Sequence, residues 1–296
     1  MNALLADLDG WKIAAVLLKA LTYAASLSAA GGLIFRLIFD RSLAQAELTR
    51  LVRLTVWLAG IGAAATILHV SLTAGMLAED ISGMWEWGLL KIILGTPEGL
   101  GTEVRLAGLG LIALIGLRRN WSDGLAATGI MVTVLSYALV GHTAAADAGT
   151  LLQMLVSLHL MAVAYWIGAL WPLRQLTYAP DLPRTATIMA RFGNVAAYAV
   201  GALVVAGLAL TWALLRQPVA LLDSDYGRLL LVKLALVAVL LALAAGNKLR
   251  LVPRLASGDA SAVASLRKSI TAEIVAVLLI LLVTASFTTL TGPPGE

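Results

Sequence analysis

Eight stretches of roughly twenty apolar residues, joined by short polar connections, decide what this chain can fold into. A helix crossing a hydrocarbon core of about 30 Å needs roughly 20 apolar residues. In lipid, every backbone N–H and C=O must also be satisfied from within the structure. The runs fall at about 12–38, 52–76, 102–118, 123–142, 150–173, 192–215, 229–248 and 270–291. Each is rich in Leu, Ala and Val, and none alternates as the strands of a membrane barrel do. The expected fold class is therefore all-α: a polytopic membrane protein, one transmembrane domain over residues 1–296, forming a bundle of eight transmembrane helices in a lipid bilayer.

Composition agrees with that constraint and narrows the chemistry. Only 13% of the residues are charged, against about 25% in a soluble domain. The chain has no cysteine, which excludes disulfides, thiolate metal sites and a cysteine nucleophile. No basic cluster falls on a soluble face, so the net charge of +4 points to membrane topology and not to nucleic acid. The start, MNALLADLDG, has no basic segment and is not expected to be a cleaved signal peptide. No nucleotide-binding loop or catalytic constellation is read, and the chain is not expected to be an enzyme.

Charge asymmetry gives the orientation. Connections after the first, third, fifth and seventh runs hold fourteen of the 21 basic residues, from Arg36, Arg41, Arg50 and Arg53 to Arg267 and Lys268. By the positive-inside rule these connections are cytoplasmic, and both termini face the periplasm. The outer loop 77–101, LAEDISGMWEWGLLKIILGTPEGLG, is acidic, Trp-bearing and amphipathic, and is expected to lie at the interface.

In that orientation the three histidines share the outer half of the membrane. His69 is about 24 Å from the cytoplasmic edge of its run, counted at 1.5 Å per residue. His142 ends the fourth run, and His159 lies about a third of the way down the fifth, again on the helical rise. Met76, Met154 and Met161 join them as candidate metal ligands, while Glu79, Asp80, Met84, Glu86 and Asp147 offer a steering surface at the mouth. Imidazole and thioether without thiolate suit copper, Cu(I) rather than Cu(II). His69 and Met76 share a helix face, as do His159 and Trp166; Met154 and Met161 share another face, about 140° away. An imidazole pair would also suit haem b in an electron-transfer protein, and that alternative stays open. The intramembrane Lys19, Glu103, Arg105, Lys233 and Glu273 are expected to include structural ion pairs or a relay.

A resemblance sharpens this reading. YGRLLLVKLALVAVLLALAAGNKLRLVPRL from Tyr226 resembles the signature region of the copper-resistance D family. RFGNVAAYAVGALVVAGLAL from Arg191 and SLRKSITAEIVAVLLILLVTASFTTLTGPP are similar to its sixth and last spans, and GHTAA…HLMAVAYWIGALWPL to its central pair. The resemblance implies a multi-pass protein of the bacterial inner membrane, acting in copper homeostasis and resistance. It implies movement of copper toward the cytoplasm, and a separate periplasmic copper carrier of the CopC-like type as partner.

Overall fold

The computed structural model describes residues 9–117, 123–140, 149–214 and 225–291. Among them every regular element is helical: α1 (Gly10–Phe39), α2 (Gln45–Ala78), α3 (Trp87–Leu94), α4 (Pro97–Leu117), α5 (Asp123–Ala138), α6 (Gly149–Leu176), α7 (Leu182–Leu214), α8 (Asp225–Gly246), α9 (Val252–Ala256) and α10 (Ser261–Leu290). Each of the eight apolar runs coincides with a helix. Five segments among the described residues are long and apolar enough to cross a membrane: Gly10–Ser42, Gln45–Ala78, Gln153–Leu176, Asp225–Ala256 and Ser261–Leu290.

The helices overrun the apolar stretches where the basic residues gather, and capping explains why. α2 starts at Gln45 because Glu47 reaches back to accept the Ala44 N–H at 2.8 Å. α7 starts at Leu182 because Asp181 accepts the Arg184 N–H at 2.9 Å. α10 starts at Ser261, whose N–H and hydroxyl both donate to Asp259. A cap of this kind satisfies an orphan donor and contributes about 1 kcal/mol. The Ser261 hydroxyl and then Arg254 hold the Asp259 carboxyl at about 2. Any stabilisation from it is present above its ordinary value near 3.8 and is lost only as pH falls toward about 2. This end, joining α1 to α2, α6 to α7 and α9 to α10, is called the basic end below. The opposite one, holding residues 79–86, is the acidic end.

α1 is the centre of the bundle. It packs against α2, α4, α5, α6 and α10. The approach depends on small residues: Ala25, Ser26, Ala29, Ala30, Gly31 and Gly32 are all buried. A methyl at Gly31 would lie 1.8 Å from the Ala164 carbonyl oxygen, and one at Gly168 would lie 2.1 Å from the Gly31 carbonyl carbon. Backbone therefore rests on backbone where α1 crosses α6. The next residue, Gly32, meets the Thr55 hydroxyl of α2 at 2.5 Å by the same measure. Lipid-phase helix association relies on this close packing, because lipid tails are as apolar as the side chains.

Helix α8 ends in a widened turn, Asn247–Leu251, where the Val252 N–H bonds the Asn247 carbonyl five residues back. Pro253 follows directly. A proline lacks its N–H and collides with the carbonyl four residues earlier, here Leu249, which lies inside the widened turn. The turn thus absorbs a proline that would otherwise break the helix.

Gly31→Ala should lower the melting temperature of the detergent-purified protein by several degrees, since the methyl meets backbone that cannot yield. Gly60→Ala, where the added carbon meets open space, is the matched control. Equal melting of the two variants would remove the Gly31 contact from its central role.

Candidate functional site

At the acidic end, α2 stops where Glu79 takes a left-handed backbone at φ 55°. The turn Ile81–Trp85 then folds back along the helix. Met84 is laid over Gly75, where an added carbon would sit 2.7 Å from its Cγ and 2.9 Å from the Trp11 ring. Met84 is thereby brought beside Gly75, the chain neighbour of Met76, and both thioethers stand at the outer turns of the helix that carries His69. Glu79, Asp80 and Glu86 are exposed on the same turn. The Ser82 hydroxyl donates to Asp80 and holds that carboxyl below its ordinary range, so it is ionised at neutral pH. Trp85 and Trp87 are exposed while Ile93 is buried, as an interfacial helix requires.

His69 lies half-buried two turns deeper. Thr73 donates its hydroxyl to the His69 carbonyl at 2.9 Å, leaving only a 3.5 Å approach to Nδ1. On α6, His159 Nδ1 is buried without a hydrogen-bond partner among the described residues. Buried polar atoms are nearly always paired, so an exception calls for an explanation. Met161 packs into the apolar cluster formed by α1, α2, α4 and α5, and Met154 is exposed. His142 and Asp147 lie outside the described residues. No group of three or more His, Asp or Glu side chains converges among the described residues, and His69 and His159 stand on different helices.

The intramembrane charges are satisfied differently from the ion pairs expected. Lys19 donates to the Thr288 carbonyl at 3.0 Å, in the last turn of α10 where carbonyls lack helical donors. Arg105 donates to Ser136 at 3.3 Å and lies 4.0 Å from the centre of the Tyr137 ring. Lys233 sits 5.4 Å over Phe287. None of these three forms an ion pair among the described residues.

Glu273 is the residue whose surroundings the sequence hid. It is only 4% exposed and has no cation beside it among the described residues. Trp166 Nε1 donates to one carboxylate oxygen at 3.3 Å and Asn247 Nδ2 to the other at 2.5 Å. Asn247 belongs to the widened turn of α8, and its Oδ1 is buried without a partner among the described residues. Trp166 lies seven residues beyond His159 on the same face of α6, about 10 Å along the axis. A lone acid inside the apolar run of α10 was the available signal.

Comparison with known proteins places both halves of the chain. Residues 7–154 match the family model described as copper resistance protein D-like, N-terminal domain. Residues 186–287 match the one described as copper resistance protein D. No curated protein and no solved structure matches the chain. The two matches leave residues 155–185 between them uncovered, and with these the part of α6 that carries His159, Met161 and Trp166. The chain belongs to the copper-resistance D family.

Proposed function

We propose that the protein is a copper-binding component of the bacterial inner membrane, with eight spans and both termini periplasmic, that accepts copper outside and passes it toward the cytoplasm. Copper is the cargo, not a resident cofactor, and a periplasmic CopC-like carrier delivers it. The observation that carries this reading is His159: a buried imidazole nitrogen with no partner among the described residues, in a chain of the copper-resistance D family. An imidazole nitrogen binds copper well, and thioethers favour Cu(I).

The residues support an ordered route. Glu79, Asp80 and Glu86 attract a cation or a basic carrier surface, although as ligands they suit Cu(I) poorly. Met84 and Met76 stand between this surface and His69. His142 and His159 complete the imidazole set, with Met154 and Met161 on the other face of α6. Further toward the basic end, the Glu273 carboxylate is the next group able to hold a cation or a proton. Trp166 and Asn247 keep it oriented by donating to it. An acid kept in the membrane interior without a counter-ion is costly unless it works. The chain performs no covalent chemistry in this scheme.

Three outcomes test the proposal. Replacing His69, His142 and His159 together by Ala should abolish Cu(I) titration of the purified protein, while Met131→Ala, an exposed methionine, leaves it intact. Parent-like titration by a folded triple variant would end the imidazole reading. Glu273→Gln keeps the size and one acceptor oxygen but removes the charge and the second acceptor, and it should slow copper uptake into proteoliposomes roughly tenfold without changing Cu(I) affinity at the histidines. Unchanged uptake would leave Glu273 as a packing residue. Cysteines placed at Ser82 and Ser257 should label from opposite sides with an impermeant reagent, Ser82 from the periplasm. Labelling of the Ser257 position from the periplasm would invert the orientation.

A further inference from the structure

At the basic end, the corner between α1 and α2 meets the first turns of α7 around a concavity of about 370 Å³. Arg41, Ser42, Arg184, Thr187, Ile188 and Arg191 line it. Three guanidiniums therefore surround one small space. Among the described residues only Arg184 has a carboxylate: its Nη2 donates to Glu47 at 2.6 Å, and its Nη1 approaches the Ser42 carbonyl at 3.4 Å. That leaves its Nε buried and without a partner among the described residues. Arg41 and Arg191 form no ion pair among the described residues, and Arg191 lies 5.2 Å from the centre of the Phe39 ring. The neighbouring acids are engaged elsewhere, since Asp40 accepts the Arg41 backbone N–H and Asp181 that of Arg184. The concavity is left with an excess of positive charge and with unused N–H donors.

A second concavity of about 480 Å³ adjoins it and shares Thr187. Its walls are largely apolar, formed by Pro183, Ala186, Met189 and Ala190 of α7 with Val252 and Pro253 of α9. The nearest ammonium, Lys248, is occupied by the Gly193 carbonyl at 3.0 Å. A charged cup opening onto an apolar groove has the polarity of an amphiphile with an anionic head. Guanidinium groups bind phosphate oxygens in bidentate fashion, and basic recesses between membrane helices on this side suit phospholipid headgroups.

We propose that Arg41, Arg184 and Arg191 hold the phosphate of an anionic phospholipid whose acyl chain lies along the α7–α9 groove. The site stands apart from the copper route and does not depend on it. A bound lipid would bridge the α1–α2 corner, α7 and the widened turn of α8.

The test uses the purified full-length chain and native mass spectrometry with added phosphatidylglycerol, phosphatidylethanolamine or inorganic phosphate. The parent should retain one phosphatidylglycerol in preference to phosphatidylethanolamine, and inorganic phosphate should not displace it. The double variant Arg41→Gln/Arg191→Gln should weaken that retention roughly tenfold or more, as loss of two charge-assisted contacts implies. Arg250→Gln/Lys268→Gln, exposed at the same end, should not. Thr187→Phe fills the junction without altering charge, and should also lose the lipid; it decides the matter if the double arginine variant does not fold. Equal retention of the two lipids, or equal losses in the two charge variants, would overturn the site. Displacement by inorganic phosphate at the same potency would make it a free-anion site and overturn the lipid assignment.

Discussion

Everything in this bundle depends on how closely α1 can approach its neighbours. At Gly31 and Gly168 the two backbones touch, and one residue on, Gly32 takes in the Thr55 hydroxyl. Such proximity is the main source of helix association in lipid, where no apolar surface is removed from water. It also fixes where the functional helices stand. α2, which carries His69 and Met76, and α6, which carries His159 and Trp166, are both held against α1. Their relative depth is set by that crossing, not by the loops.

Lys19, Arg105, Lys233 and Glu273 follow one rule among the described residues: each is held without an opposite charge buried next to it. Lys19 uses a helix-terminal carbonyl, Arg105 a hydroxyl and an aromatic face, and Lys233 a phenyl ring. Glu273 uses two neutral N–H donors. A buried ion pair requires two desolvations for one attraction, and these arrangements require only one.

The helical fold was legible because lipid admits so few alternatives, and the eight runs coincide with helices. The helix ends were less legible, since Glu47, Asp181 and Asp259 extend α2, α7 and α10 into polar sequence. Helical phase separated His159 from Met154 and Met161, and the latter two prove to be exposed or packed into the core. The environment of Glu273 was not legible. Its partners are 107 and 26 residues away in the chain, and nothing in local spacing brings Trp166, Asn247 and Glu273 together. That Lys19, Arg105 and Lys233 form no ion pair among the described residues was illegible for a related reason: carbonyls and ring faces carry no mark in a sequence of charges.

The widened turn at Asn247–Leu251 has a consequence for comparing this chain with its relatives. One residue more than an α-turn holds swings everything after it by about 100°. Helices α8 and α9 are two rods joined through that extra residue, and with it in place Ala244 before the turn and Leu255 after it reach the same apolar cluster. A comparison that leaves the extra residue out assigns the wrong face to the positions after it. A single deletion within it, trivial in length, would turn Arg254 and Leu255 away from the neighbours that now receive them.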